Sequence, residues 1–313
     1  MNWLESILNK NEKLAVGLIS GTSMDGIDAS LVKISGHGSN TQIEIIDFIC
    51  EQYSPQLKSN LENLATGFSL EKLSSLNFMI GKEFADAASM IIKKNGFDNK
   101  EIDFIGSHGQ TVFHNPPSLN NEISSTLQIG EIDVICEETG ITTIGDFRTK
   151  DLASGGEGAP FIPYLDFVLF NKLNKSIVAQ NIGGIANCSL INSDWNDLIA
   201  FDSGPGNSLM DSVVFLTTKG ERRFDNGGEL ASRGSINEKL LEKLLKIPYL
   251  KLPLPKSTGK ELFGFSMAEE LLDFSKKEGI NLNDLLCTLV EFTCETIVSS
   301  YERFIFPVHK VEE

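Results

Sequence analysis

Several polar, glycine-containing turns follow short apolar segments of this chain and carry the residue types that could do chemistry. The first turn follows the apolar run at residues 14–19. Its backbone N–H groups suit an anion, its hydroxyls could donate hydrogen bonds, and its carboxylates could contact a hydrated divalent cation. An isolated glycine-rich turn is more often an ordinary loop. This turn is longer than a plain hairpin needs, however, because two residues would close one. The candidate residues are Gly21, Thr22, Ser23, Met24, Asp25, Gly26, Ile27 and Asp28.

Two aspartates are candidates for acid–base chemistry. Asp202 ends the apolar segment 199–202 and precedes a Ser-Gly-Pro-Gly sequence that would let a ligand approach closely. A carboxylate in that position could accept a proton from water or a hydroxyl as a general base. Asp146 follows a short apolar segment in the same way. The alternative for both is an aspartate that caps a helix or closes a turn.

Other polar side chains could bind a small molecule. His108 lies between two glycines, and together with Gln110 and Thr111 it could hydrogen-bond a sugar or an amide, although a lone histidine is more often structural. The guanidinium of Arg148 suits a carboxylate or phosphate, and pairing with a neighbouring aspartate is the ordinary alternative. The spacing of His108 and His114 does not indicate a zinc site.

Polar turns of this kind recur along the chain, and in α/β proteins ligands collect at the carboxyl ends of strands. The recurrence therefore predicts a binding site. The chain has no P-loop, no Rossmann glycine motif after a strand and no nucleophile elbow. Phosphate binding would then depend on glycine turns, backbone amides and a metal. The turns are residues 20–28, 106–111, 145–151, 181–187 and 202–208.

The apolar pattern predicts the elements that position these turns, and strands that alternate with helices indicate an α/β fold. We expect strands at 14–34 (a hairpin), 42–49, 102–105, 126–129, 141–144, 176–180, 187–191 and 199–202. We expect helices at 55–66, 69–95, 131–138, 207–217, 235–246, 266–278 and 282–304, with Gly140 as a helix stop and Asn207 as an N-cap.

A glycine-rich junction near the middle of the chain predicts two domains, residues 1–150 and 151–313. Residues 176–191 repeat the strand–glycine turn–strand pattern of the opening hairpin, about half a chain later. The two halves are therefore expected to be duplicates at the level of pattern.

Composition limits the classes of function. The 313 residues carry a net charge of -16, which argues against nucleic acid as a partner but does not exclude a nucleotide. Five scattered cysteines suggest neither a zinc site nor a disulfide framework. No apolar run reaches membrane-spanning length and no signal peptide is visible. We expect a soluble, cytoplasmic protein without a membrane partner.

Taken in order, the motifs resemble those of the anhydro-N-acetylmuramic acid kinase family. Each motif is weak alone, but the set and its order are highly specific and span essentially the whole chain. The resemblance implies a two-domain actin-like fold, as in sugar kinases and hsp70 proteins, with duplicated α/β domains around a nucleotide cleft. The matching segments are residues 17–28, 107–111, 126–131, 145–151, 155–160, 181–187 and 201–207.

The resemblance also implies an ATP- and Mg²⁺-dependent reaction in peptidoglycan recycling and amino-sugar catabolism. Water would open the 1,6-anhydro ring of the sugar while O6 receives the γ-phosphoryl group, giving N-acetylmuramate 6-phosphate and ADP. By the same resemblance Asp202 would be the catalytic base, and the protein would form a homodimer. The carboxylate that contacts the metal is not assigned.

Further site residues follow from the same resemblance. The first hairpin, residues 21–28, and the second hairpin would bind the phosphates of ATP. The sugar would be surrounded by His108, Gln110, Asp146 and Arg148, with Arg148 on the lactyl carboxylate. The second phosphate-binding group consists of Gly183, Gly184, Gly204 and Gly206.

The chain ends at Glu313, where the family pattern continues into another strand, a glycine-rich turn near the adenosine and a helix. The expectation is a C-terminally truncated member whose second domain lacks its last strand and helix. Two alternatives stay open. The chain could be a non-catalytic remnant that binds only the sugar, or another actin-like sugar kinase.

Overall fold

The structure is a computed structural model that describes residues 3–21, 26–62, 69–117, 123–171, 175–308 and 310–311. The chain divides into two compact units, Met1–Gly158 and Ala159–Glu313. Each unit combines β-strands with helices, so the α/β class is confirmed. In the described ranges, no helix is both long enough and apolar enough to cross a membrane.

The first unit is built on a six-stranded sheet with the order β3-β2-β1-β4-β5, and β6 pairs with β4. β4 pairs parallel with β1 and antiparallel with β5, which places it inside the sheet. The strands are β1 (Glu12–Ser20), β2 (Gly26–Ser35), β3 (Gln42–Gln52), β4 (Phe104–Asn115), β5 (Ser125–Ile129) and β6 (Thr143–Ile144).

The helices of the first unit cover this sheet. α3 presents an apolar face at helical spacing, including Ile80, Phe84 and Ile91, to the core that it shares with β1 and β2. A Cβ at Gly81 would lie 2.9 Å from the carbonyl oxygen of Glu131, so a glycine permits the close approach of α3 and α4. The helices are α1 (Trp3–Leu8), α2 (Pro55–Glu62), α3 (Leu70–Lys94), α4 (Ile132–Thr139) and α5 (Phe147–Ala153).

The second unit contains a three-stranded antiparallel sheet with the order β7-β8-β9 and a helical layer. α7, α8, α9 and α10 share one apolar core, in which Phe263 and Phe292 are fully buried. The strands are β7 (Ile177–Ile182), β8 (Ile185–Ile191) and β9 (Ile199–Pro205). The helices are α6 (Pro163–Phe170), α7 (Ser208–Thr217), α8 (Glu238–Leu244), α9 (Phe265–Glu278) and α10 (Leu282–Phe304).

The opening hairpin of each half was predicted at the right place, and both hairpins continue into an antiparallel third strand. Two predicted turns are wrong. Residues 106–111 lie inside β4, which pairs on both sides, and Gly109 adopts φ +73 as a local irregularity within the strand. Residues 203–205 likewise continue β9.

Three further expectations are corrected. The predicted turn at residues 145–151 contains the start of α5, and α6 was not predicted at all. Asn207 precedes α7 with helical φ and ψ, and its side chain makes no capping hydrogen bond. The first N–H groups of α7 donate instead to carbonyl groups in the turn of the second hairpin.

Candidate functional site

The predicted site residues fall in both units, and the first group surrounds the turn between β1 and β2. Thr22, Ser23, Met24 and Asp25 lie outside the described residues. Gly21 and Gly26 flank that segment, and Ile27 and Asp28 follow on β2, where Ile27 is buried. A Cβ at Gly26 would lie 2.3 Å from the carbonyl oxygen of Glu51, so this position requires a glycine for strand pairing.

Gln110 contacts the start of this turn. Its Nε2 donates to the carbonyl oxygen of Gly21 at 3.1 Å, and its Oε1 lies 2.7 Å from Ser20 Oγ. Ser20 Oγ also lies 2.6 Å from the carbonyl oxygen of Gly26, so its single proton can serve either acceptor. The side chain of Gln110 is fully buried, and Tyr53 O–H adds a longer contact of 3.4 Å to Oε1. In this structure Gln110 therefore supports the first hairpin through Ser20 and Gly21.

His108 and Arg148 meet on the same unit. The Nε of Arg148 donates to His108 Nε2 at 2.7 Å, and its Nη1 donates to the carbonyl oxygen of Gly158 at 2.5 Å. Burial, followed by the positive charge of Arg148, lowers the pKa of His108 to about 4. The histidine is therefore neutral at physiological pH and serves as an acceptor that orients the guanidinium.

The segment after α5 supports this arrangement. Asp151 Oδ2 accepts a hydrogen bond from the N–H of Gly158 at 2.7 Å, which brings the carbonyl group of Gly158 to Arg148. His114 belongs to the same neighbourhood, because burial and then the charge of Arg148 lower its pKa, while Glu157 opposes the shift. Asp151 therefore acts on Arg148 indirectly, because it holds the loop whose carbonyl group, at Gly158, accepts a hydrogen bond from Arg148.

Asp146 lies between β6 and α5 in a strained backbone conformation. It adopts φ 60, in the left-handed region, although it is not a glycine. Its side chain is exposed and makes no capping hydrogen bond to α5, so a helix-capping role does not explain it. Residues held in this region cost about 1–3 kcal/mol and concentrate at functional sites.

In the second unit, the turn of the β7–β8 hairpin consists of Gly183 and Gly184. Their carbonyl groups accept hydrogen bonds from the N–H groups at the start of α7: Asn207 to Gly183 at 2.7 Å, and Gly206 and Ser208 to Gly184 at 3.0 Å each. A Cβ at Gly206 would lie 2.2 Å from the carbonyl oxygen of Gly183. Gly206 therefore permits a close contact between hairpin and helix, and its N–H group is already occupied.

Gly204 has a related packing role. A Cβ at this position would lie 2.9 Å from Oγ1 of Thr296, so the glycine lets α10 approach β9. The sequence motif placed Gly204 and Gly206 among the phosphate-binding residues. In the structure both glycines permit close packing within the unit, and a contact with phosphate stays a prediction.

Asp202 lies on β9 with 5% of its surface exposed. Its Oδ2 accepts hydrogen bonds from Ser257 Oγ at 2.8 Å and from the N–H of Thr258 at 2.9 Å. Its carbonyl oxygen accepts one from the hydroxyl of Tyr249 at 2.8 Å. Donors of this kind stabilise the ionised carboxylate and fix its orientation, as a general base requires.

Three site features escaped the sequence analysis. Residues 256–258, which contact Asp202, lie in a proline- and lysine-rich stretch of a kind that is typical of surface loops. The second is Gly158, whose carbonyl group binds Arg148. The third is Asp211 on α7, whose pKa burial raises to about 6 against the opposing charge of Lys260. Two of these features carried a sequence signal: Gly158 lies in the glycine-rich motif 155–160, and Asp211 is an acidic residue in the first turn of a predicted helix.

The side chains of the candidate site determine whether it could hold a metal ion. Across the described ranges, no three His, Cys, Asp or Glu side chains form a cluster suited to a metal ion. Mg²⁺ in phosphoryl-transfer enzymes is usually held by one or two carboxylates together with the phosphates of the substrate. The partly buried Asp28 beside the first hairpin fits that mode of binding.

Comparison with known proteins identifies the family. The profile of the anhydro-N-acetylmuramic acid kinase family matches residues 13–308. The anhydro-N-acetylmuramic acid kinase of Caldanaerobacter subterraneus subsp. tengcongensis is 45% identical over all of this chain and 81% of its own length. Those of Clostridioides difficile and Bacillus thuringiensis subsp. konkukian are 43% and 40% identical, each over 95% of this chain and 78% of their own length. The chain belongs to the anhydro-N-acetylmuramic acid kinase family.

Proposed function

We propose that this protein is an ATP-dependent kinase that acts on 1,6-anhydro-N-acetylmuramic acid in cell-wall recycling, with Asp202 as its catalytic base. The observation that carries the proposal is the buried carboxylate of Asp202, held by donors from Ser257 and Thr258. A base in this state is oriented before substrate binds, which lowers the entropic cost of the reaction.

In the proposed reaction, Asp202 accepts a proton from the water that attacks the anomeric carbon. The bond from that carbon to O6 breaks, and O6 forms a bond to the γ-phosphorus as the bond from that phosphorus to the oxygen of ADP breaks. ATP supplies the phosphoryl group, and Mg²⁺ would neutralise its charge. The products are N-acetylmuramate 6-phosphate and ADP.

The first unit would bind sugar and phosphate through distinct residues. Arg148, with its guanidinium oriented by His108, is proposed to bind the lactyl carboxylate. The exposed carboxylate of Asp146 would accept hydrogen bonds from sugar hydroxyls. Gln110 would act on the phosphates indirectly, since its polar atoms hold the first hairpin. The hairpin amides at residues 21–28 and the glycine turn at Gly183 and Gly184 would contact the phosphates, and Asp28 would contact hydrated Mg²⁺.

Two further parts of the proposal concern the protein in the cell. A kinase that uses ATP to recycle a cell-wall sugar would act in the cytoplasm. The family resemblance also favours a homodimer, and sedimentation at several protein concentrations would test this.

Turnover of the sugar with ATP and Mg²⁺ tests the proposed function, with Asp202→Asn as the diagnostic variant. The substitution keeps the size of the side chain and removes the base, so turnover should fall by at least about a hundredfold. The same assay with the anhydro sugar of N-acetylglucosamine separates this kinase from other sugar kinases. Binding of the muramic sugar without any turnover by the unmodified protein would instead support the non-catalytic alternative.

A further inference from the structure

The segment Lys256–Thr258 contacts Asp202 at both its backbone and its carboxylate. The N–H of Asp202 donates to the carbonyl oxygen of Lys256 at 3.3 Å. Ser257 Oγ and the N–H of Thr258 both donate to Oδ2, and Ser257 is only 2% exposed. Contacts at both ends of the residue leave the carboxylate little rotational freedom.

Lys256 is the unexpected member of this segment. The residue is 2% exposed, and its Nζ has no hydrogen-bond partner among the described residues. Nζ lies 4.9 Å from the ring centroid of Tyr249, 5.3 Å from that of Phe304 and 5.8 Å from that of Phe201. The negative faces of aromatic rings can stabilise a cation, but an ammonium without hydrogen bonds is costly to bury.

The groups around Lys256 determine whether its amine is protonated. Burial and then Arg303 on α10 oppose its protonated form, whereas Asp202 on β9 favours it. Cys188 on β8 also faces the amine, but burial raises the pKa of its thiol to about 12, so it is neutral at neutral pH. The balance lowers the pKa of Lys256 to about 8, so the amine is mostly protonated at neutral pH. It then places a buried positive charge near the carboxylate of Asp202.

We propose that Lys256, Ser257 and Thr258 are positioning residues for Asp202, which fix its carboxylate in one orientation and keep it ionised. This inference rests on the catalytic role proposed for Asp202. Hydrogen bonds to a carboxylate and a nearby cation both favour its ionised form. A general base can accept a proton only in its ionised form. Loss of a hydrogen bond to the carboxylate, or of the nearby cation, should therefore raise the pH that activity requires.

The pH dependence of kcat in Ser257→Ala tests the inference. Loss of one donor to Oδ2 should move the acid limb of the profile upward by about one pH unit and lower kcat near neutral pH about tenfold. KM for the sugar should hardly change. The position of the limb does not depend on how much of the preparation is folded. Ser257→Thr restores the hydroxyl and should restore the limb.

Lys256→Met tests the charge separately, because methionine keeps an apolar stem of similar length but no ammonium. Its acid limb should also move upward. Ser212→Ala is the matched control, since the buried hydroxyl of Ser212 donates to the carbonyl oxygen of Ser208 at 2.7 Å and not to Asp202. Its profile should coincide with that of the unmodified protein.

The outcomes separate this inference from the proposed function. If Asp202→Asn is inactive while Ser257→Ala and Lys256→Met keep the original acid limb, the positioning role is overturned and the catalytic base stands. If Asp202→Asn turns over at the original rate, the catalytic base is wrong and the inference falls with it. A shift in both variants, with none in Ser212→Ala, supports the inference.

Discussion

Arg148 donates its Nε–H to Nε2 of His108 across 2.7 Å, and this contact defines the state of the histidine. A guanidinium can only donate, so Nε2 must be unprotonated. Nδ1 lies 3.1 Å from the carbonyl oxygen of Gly109 and therefore carries the proton. The histidine is consequently a neutral support for the guanidinium, and acid conditions that protonate it would release Arg148.

This relationship predicts how the free energy of unfolding depends on pH. His108 titrates at about 4 in the folded protein against an ordinary value of 6.5. Between these values the unfolded chain binds more protons, so stability falls as the pH falls through this window. In this pH window, the free energy of unfolding of His108→Asn, measured with denaturant, should fall less steeply than that of the unmodified protein. His114 is present in both proteins, so its contribution cancels when their unfolding free energies are subtracted. Parallel curves would contradict the buried, neutral state of His108.

Arg148→Lys should weaken recognition of the muramic sugar. Lysine keeps the charge but loses the planar fork and the Nε contact with His108. We expect KM for this sugar to rise about tenfold with a smaller change in kcat. The anhydro sugar of N-acetylglucosamine lacks the lactyl carboxylate and serves as the control substrate. An equal rise in KM for both sugars would show that Arg148 does not contact that carboxylate.

Gln110→Ala should destabilise the first unit. It removes a fully buried side chain that donates to the carbonyl oxygen of Gly21 and gives Ser20 one of its two acceptors. Buried polar groups that lose their partners cost about 1–3 kcal/mol each, and denaturant unfolding measures the sum. Gln128→Ala is the matched control, because Gln128 is only partly buried and donates to the hydroxyls of Thr111 and Thr126. Similar losses in the two variants would argue against a special role for Gln110.

Gly206→Ala should disturb the second hairpin. The added methyl group would lie 2.2 Å from the carbonyl oxygen of Gly183, so the hairpin or the start of α7 must move. We expect a loss of about 1–3 kcal/mol in stability and weaker ATP binding, measured by unfolding and by calorimetry. In the control Gly106→Ala, the nearest atom to the new Cβ is 3.9 Å away, on Phe147. Unchanged ATP affinity in Gly206→Ala would remove this hairpin from the phosphate site.

The sequence by itself determined the local elements and the family. Apolar runs interrupted by glycine predicted both hairpins, and the spacing of Leu73, Ile80 and Phe84 predicted α3, because local periodicity reports which face of an element is buried. The order of the motifs along the chain identified the family. None of this required contacts between residues distant in sequence.

Only the tertiary structure decided what the motif residues do. Strand pairing placed His108 and Gln110 within β4, where the sequence had predicted a turn. Gln110 supports the start of the first hairpin turn, His108 supports Arg148, and Gly204 and Gly206 permit close packing. Ser257 and Lys256 came to Asp202 from more than fifty positions away along the chain. Hydrogen bonds and desolvation depend on such distant neighbours, and no local pattern encodes them.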